Sequence, residues 1–336
     1  MNKEKSHLFH NTIIREYDIR GVYNETLFDN DAEILGNLFG LEVGKNKTVN
    51  VGYDGRLSSD KLKENLIKGL IDSGVNVNEI GLVPTPLLYY SCYELVADGG
   101  IIVTGSHNPK NHNGFKIVLN YKPFFGANLV KLSKKAKKFN FKKMNGSVKT
   151  FNLMDKYIKR LIKDFNQRKK INIVWDSGNG AAGDVMNALA KNIDGKYELL
   201  FSEIDGNFPN HHPDPSDPKN LVFCKNKLLD LKYNVGFAFD GDGDRLGVID
   251  DRGRTVSGDK LLLLLAKEML KSKKCKVIAD VKCSQVLFDE VKRLGGEIFM
   301  SKTGHSHVKN NLKKLRADLA GEMSGHIFFA KDYYGF

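Results

Sequence analysis

Short apolar runs that break into glycine-rich or polar loops recur along this chain. Gly99-Gly100-Ile101-Ile102-Val103 is unbroken and β-branched, and it stops at Thr104-Gly105-Ser106-His107-Asn108-Pro109. The run predicts a buried parallel strand, and Gly105 with Asn108-Pro109 supplies the turn chemistry that ends it. Val235-Gly236-Phe237-Ala238-Phe239 repeats the pattern and breaks into Asp240-Gly241-Asp242-Gly243-Asp244-Arg245. Three further stretches, Val49 to Asp54, Ile171 to Asp176 and Cys275 to Asp280, each read as a short strand ending in aspartate and followed by a helical pattern. After each helix come a Pro-, Gly- or His-rich segment (residues 81–86, 206–215 and 300–307) and a closing strand that runs into a polar loop. This loose internal repeat predicts three similar mixed-sheet α/β domains in tandem, each sending a functional loop from the carboxyl edge of its sheet. The expected boundaries are 1–149, 150–253 and 254–336. An amphipathic helix over 152–165 opens the second domain, Arg252-Gly253-Arg254 marks the second break, and Ser257-Gly258-Asp259 caps a helix over 260–270.

Two of the loops carry chemistry. Ser106 sits just past a strand's carboxyl end, where open α/β sheets bind ligands, so it is a candidate nucleophile. The surrounding residues are not Gly-x-Ser-x-Gly, which argues against a hydrolase elbow. Asp240, Asp242 and Asp244 occupy every second position of a glycine-broken loop. Carboxylates within about 4 Å of one another repel by roughly 4 kcal/mol per pair at an effective dielectric near 20, so a converging trio calls for a cation. A hard ion with oxygen ligands, Mg²⁺ foremost, fits. An EF-hand loop does not, because its glycine and glutamate positions hold Arg245 and Asp251 and the flanks read as strands. The competing reading of this segment is an acidic hairpin turn in water.

Composition narrows the partners. At 336 residues the chain has room for two or three domains with substantial cores. Lys and Arg number 52 against 40 Asp and Glu, a net charge of +12 that favours anionic ligands. The positive residues are spread out, and the densest run, 131–149, interleaves with Leu129, Leu132 and Ala136 at helical spacing. This predicts the wet face of a surface helix and not a nucleic-acid surface. Cys92, Cys224, Cys275 and Cys283 form no CxxC pair and no framework, which fits reduced thiols and a cytoplasmic location. Residues 1–11 lack an apolar core, and the longest apolar run, 261–266, is far short of the roughly 20 residues that span a bilayer, so neither export nor membrane anchoring is expected.

Thr104-Gly105-Ser106-His107-Asn108-Pro109, Phe239 to Arg245 and Gly321-Glu322-Met323-Ser324-Gly325-His326, with Tyr17-Asp18-Ile19-Arg20-Gly21 near the start, together resemble the α-D-phosphohexomutase family. They are most similar to its bacterial phosphomannomutase/phosphoglucomutase branch. The four motifs occur in the family's order along the whole chain. The resemblance implies a monomeric phosphoserine isomerase that interconverts 1-phospho and 6-phospho hexoses, mannose or glucose, through a hexose 1,6-bisphosphate that is both intermediate and activator. It implies one Mg²⁺ per active site, held by Ser106 as its phosphate together with Asp240, Asp242 and Asp244. Ser106, Lys116, Arg20, Arg245 and His107 are the implied catalytic set. A lysine there could exchange a proton with the sugar hydroxyl, whereas His107, next to Ser106 in sequence, is badly placed to deprotonate it and reads as a phosphate or loop contact. Tyr17, Lys282, His305, Glu322, Ser324 and His326 are the implied substrate contacts. Hexose phosphates are the expected partners, with neither nucleic acid nor membrane. The family's fourth, phosphate-gripping C-terminal domain is expected to be absent from this chain, whose aromatic end at 333–336 reads as cut. Open alternatives are a phosphoglucosamine mutase or another serine and metal phosphotransferase, an inactive sugar-phosphate-binding fragment, and a basic nucleic-acid binder.

Overall fold

The computed structural model describes residues 3–163, 165 and 169–331; the aromatic stretch 333–336 lies outside the described residues. The chain divides into two compact units, Met1–Lys159 with Ile204–Pro209, and Arg160–Glu203 with Asn210–Phe336.

The first unit is built on a seven-stranded mixed sheet. Its order is Ile19–Val22, His112–Leu119, Gly99–Val103, Thr48–Tyr53, Asn76–Leu82 and Val148–Thr150, with Lys122–Pro123 paired to His112–Leu119. Thr48–Tyr53 lies parallel to both Gly99–Val103 and Asn76–Leu82, and His112–Leu119 returns antiparallel beside Gly99–Val103. All five residues of Gly99–Val103 are buried, as its unbroken apolar run predicts. Leu35 and Phe39 on the helix Asp29–Val43 and Leu62, Leu66 and Leu70 on the helix Ser59–Asp72 join the same core. These two helices approach closely at Gly36 and Gly69, where a Cβ on either would run into the other helix's backbone.

The lysine-rich run 131–149 departs from expectation. Its helix spans Ala127–Ala136, burying Leu129, Leu132 and Ala136 as predicted, but stops there. Beyond it the apolar spacing changes from helical to alternate positions, and Phe139 and Phe141 are both buried in a strand that pairs antiparallel with Lys3–Lys5. Val148–Thr150 then adds to the edge of the main sheet.

The second unit contains two sheets. One has the order Tyr197–Leu200, Ile173–Asp176, Val235–Phe239, Leu246–Asp250, Thr255–Val256, and the other Glu297–Ser301, Lys276–Asp280, Leu319–Gly321, Ile327–Phe329. Each repeats the plan of the first unit: an aspartate-ended strand flanked by two parallel neighbours, the later of which turns back into an antiparallel strand. The predicted repeat is thus a repeat of strand order, and the three α/β domains carry mixed sheets. Val235–Phe239 alternates between buried and half-buried positions instead of being wholly buried. The amphipathic helix expected over 152–165 spans Met154–Lys163. Arg252-Gly253-Arg254 forms the turn of a hairpin, with the Gly253 N–H donating to Asp250, so the second sheet runs on to Val256. The helix expected over 260–270 spans Gly258–Leu270, and Ser257 ahead of it makes no side-chain capping bond to the backbone, its Oγ donating instead to Asp259 Oδ1. Among the described residues no helix is long and apolar enough to cross a membrane. The four cysteines are buried and unbridged.

Candidate active site

In the first unit the strand Gly99–Val103 delivers Ser106 into a loop that returns as His112–Leu119. Ser106 is buried and its backbone is left-handed, with φ of 49°. For a serine that conformation costs about 1–3 kcal/mol, so neighbouring contacts must impose it. Two of them lie on either side: the Ser106 N–H donates to Thr104 Oγ1 at 2.8 Å, and the Gly105 N–H donates to Asp54 Oδ2 at 2.9 Å. His107 Nδ1 stands 3.4 Å from Ser106 Oγ, at the outer limit of a hydrogen bond.

Register sets two basic side chains on one face of this sheet. Arg20 lies opposite Gly114, and Lys116 is two residues along the same strand, so both side chains leave the same side. Both are buried, at 3% and 4% exposure, which rules out a solvated surface lysine at 116. Arg20 Nη1 donates to the Thr104 carbonyl at the base of the serine loop, and Nη2 donates to Asp18 Oδ2 at 2.5 Å. The local field is positive: burial, then Arg15, Arg56 and Arg20, hold the His112 imidazole below its ordinary range. Tyr17 sits half-buried in the bend that leads into Ile19–Val22.

The second unit gathers the aspartates. Asp240, Asp242 and Asp244 each offer a carboxylate oxygen, and these oxygens lie within 4.8 Å of one another. The main chain shapes the loop, with the Asp244 and Arg245 N–H groups both donating to Asp240 Oδ1 at 3.0 Å and Gly243 taking a left-handed φ of 70°. Three hard anionic donors converging at this spacing fit a divalent cation of the Mg²⁺ type. Arg245 approaches both Asp214 and Asp240 at 4.0 Å.

The sugar-motif loop meets the metal loop directly within this unit. His326 Nε2 stands 3.0 Å from Asp244 Oδ1, while its Nδ1 stands 2.7 Å from Glu322 Oε2 and 3.2 Å from Ser324 Oγ. Burial alone lowers the His326 pKa, but the two carboxylates outweigh it and lift the value to about 8. Burial likewise pushes the Glu322 carboxyl up, yet the His326 hydrogen bond and charge, the Gly304 N–H and Arg245 bring it below its usual range. The Leu246 N–H donates to the Gly325 carbonyl at 3.0 Å, and a Cβ at Gly325 would collide with Leu246. His305 opens the helix His305–Lys314, with its ring centroid 5.8 Å from that of His326. Lys282 is exposed in the turn after Lys276–Asp280, and Met323 is exposed between Glu322 and Ser324.

Several residues here escaped functional assignment from sequence. The strand-ending aspartates are the scaffold of the loops: Asp54 holds Gly105, Asp280 accepts from Thr303 Oγ1 at 3.1 Å and faces the Met323 N–H at 3.4 Å, and Asp176 accepts from the Gly178 N–H at 2.9 Å. Asp176 also meets His211 Nε2 at 3.1 Å. The signal that could have found them is the repeat itself, which places an aspartate at the end of all three central strands.

Comparison with known proteins agrees with this fold. Family models for phosphoglucomutase/phosphomannomutase α/β/α domains I, II and III match residues 11–142, 155–253 and 257–335. The phosphomannomutase/phosphoglucomutase of Pseudomonas syringae pv. tomato is 44% identical over 328 residues, covering 97% of this chain and 70% of the relative. The phosphoglucomutase of Neisseria gonorrhoeae is 39% identical, covering 96% of this chain and 72% of the relative. A crystal structure of a phosphoglucomutase/phosphomannomutase family protein from Burkholderia thailandensis superimposes with a TM-score of 0.90 at 43% identity, over 96% of this chain and 73% of that one. The chain belongs to the phosphoglucomutase/phosphomannomutase family of isomerases, and reversible phosphoryl transfer between the 1 and 6 positions of a hexose phosphate is its reaction.

Proposed function

We propose that Ser106 carries the phosphoryl group, that Asp240, Asp242 and Asp244 hold one Mg²⁺, and that a hexose 1,6-bisphosphate is the intermediate. The convergence of the three aspartate oxygens within 4.8 Å is the observation that carries this reading, because three carboxylates that close together repel one another strongly and a divalent cation among them offsets that repulsion alongside Arg245 and His326. When bound, the ion supplies charge neutralisation at the transferring phosphoryl group. In this reading the serine loop, the metal loop and the sugar loop belong to the domains 1–149, 150–253 and 254–336. The phosphoserine P–O bond breaks as the sugar hydroxyl oxygen bonds to phosphorus. Arg20 adds fixed positive charge beside the serine loop, and Lys116, buried on the same sheet face and acting as the neutral amine, takes the hydroxyl proton and returns it to the departing Ser106 oxygen. Arg245 adds positive charge beside the aspartates. Glu322 accepts from two sugar hydroxyls, and Ser324 donates or accepts beside it. His326 holds Glu322 and Asp244 in one network. Calorimetric titration of Mg²⁺ tests the site. The wild type should bind with a defined stoichiometry of one, and the triple Asp240→Asn, Asp242→Asn, Asp244→Asn variant should lose that binding. Chelation should abolish conversion of mannose 1-phosphate and added Mg²⁺ should restore it. Equal affinity in wild type and triple variant would show that the cation sits elsewhere.

A further inference from the structure

The loop that presents Ser106 is wrapped around one buried side chain. Arg56 lies two residues beyond Asp54, just past the end of Thr48–Tyr53, and is 3% exposed. Its Nη1 donates to the carbonyls of Pro109 at 2.6 Å and His112 at 2.9 Å, and its Nη2 to those of Ser106 at 2.7 Å and Asn108 at 2.6 Å. Four carbonyls of a single short loop therefore turn inward onto one guanidinium. Because a trans peptide sets its N–H opposite its C=O, the inward Ser106 carbonyl turns the His107 N–H away from Arg56.

The arginine is itself fixed from three sides. Its Nε stands 3.3 Å from Asp54 Oδ2, the same oxygen that accepts from the Gly105 N–H. Asp54 Oδ1 in turn accepts from the Arg56 N–H at 3.1 Å and from Ser59 Oγ. The Phe208 ring lies 5.2 Å from the guanidinium carbon. Finally, a Cβ at Gly105 would overlap the guanidinium, so the glycine before the serine is required by the passage of Arg56 beneath it. A planar fork reaches several acceptors at once, whereas lysine is a single compact charge on a flexible stem and cannot reproduce it.

We propose that Arg56 is a positioning residue for phosphoryl transfer: acting through the backbone carbonyls of the Ser106 loop, it holds the serine in its left-handed conformation and aims the nucleophile. This rests on the reading of Ser106 as the phosphorylated residue. Arg56 acts through the loop and has no assigned contact with substrate, so its loss should slow transfer while leaving substrate affinity nearly intact. A displacement of about 1 Å at a reacting atom is enough to cost roughly 100-fold in rate.

The test uses the 336-residue chain as wild type, Arg56→Lys and Arg56→Met. Phosphate arriving on Ser106 from glucose 1,6-bisphosphate is followed by quenched intact-mass spectra, and amide exchange is followed in peptides covering 104–113 and the helix Gly258–Leu270. Arg56→Lys should slow phosphoryl uptake about 100-fold with less than about a threefold change in the bisphosphate concentration at half-maximal rate, the pattern of a lost orienting interaction. Exchange in 104–113 should accelerate about tenfold or more while the distant helix stays unchanged. Uptake in Arg56→Lys within about threefold of wild type, or slow uptake with unchanged exchange in the loop, overturns the proposal. If Arg56→Met fails to fold, Arg56→Lys decides alone. If wild-type protein acquires no phosphate at Ser106, the assignment of the serine falls separately, and the clamp is judged on loop exchange: acceleration supports it and its absence overturns it.

Discussion

His326 shows how much of this site depends on single atoms. Both of its ring nitrogens face carboxylates, Asp244 on one side and Glu322 on the other, an arrangement that suits an imidazolium with both nitrogens protonated. Glu322 is thus buried and already paired within this network before the sugar contact proposed for it forms. Glu322→Gln keeps the shape and removes the charge, so it weakens both the His326 contact and any hydroxyl contact. A charge-assisted hydrogen bond contributes about 1.5–3 kcal/mol, so conversion of mannose 1-phosphate and glucose 1-phosphate should fall by roughly tenfold to a hundredfold, and alike. Paired kcat/KM measurements check this, and a loss confined to one sugar would contradict a shared orienting role.

At the scale of elements, two devices set the supports of the loops. The first is the crossing of Asp29–Val43 and Ser59–Asp72, where a Cβ at Gly69 would run into the backbone around Glu33 and Asn37. Gly to Ala inside a helix ordinarily gains up to about 1 kcal/mol, but overpacking against backbone costs about 1–3 kcal/mol, so Gly69→Ala should be net destabilising. A lower urea midpoint with an unchanged slope is the expected result. The second is His211, whose pKa burial lowers but which the Asp176 hydrogen bond and charge, with the His212 carbonyl, raise overall. A raised folded pKa means that His211 stabilises most fully below its unfolded value of about 6.5 and loses this contribution as pH climbs through the folded value. The stability difference between wild type and His211→Asn should therefore be greatest near pH 6 and shrink toward pH 9, as read by urea denaturation. Neither device was legible in the sequence. Gly36 and Gly69 lie in separate helices that only the fold brings together, and the separation of 35 positions from Asp176 to His211 hides a pairing that no local spacing reveals.

Across the molecule, the three larger sheets share one run of four strands, and the candidate functional loop of each occupies the same hairpin, between the later parallel strand and its antiparallel neighbour. That much was readable, because buried strands announce themselves by apolar runs and loops by Gly, Asp and Pro. The Ser106 and Asp240 loops were found on this ground. Lys116 was readable only as a member of a motif, since its burial depends on strand pairing. Arg56 follows the first aspartate-ended strand by two residues, but its role was not legible there, because its acceptors lie 50 to 56 residues away. In the proposed mechanism the mutase reaction passes through a phosphate on Ser106. The most direct test mixes the dephosphorylated chain with glucose 1,6-bisphosphate and Mg²⁺, maps the modified peptide by mass spectrometry, and assays mannose 1-phosphate conversion in the same samples for wild type and Ser106→Ala. We predict one phosphate, on Ser106, in active wild type, and neither phosphate nor conversion in the variant. Phosphate on another residue, or conversion that persists in Ser106→Ala, would show that the phosphoryl group does not travel by Ser106.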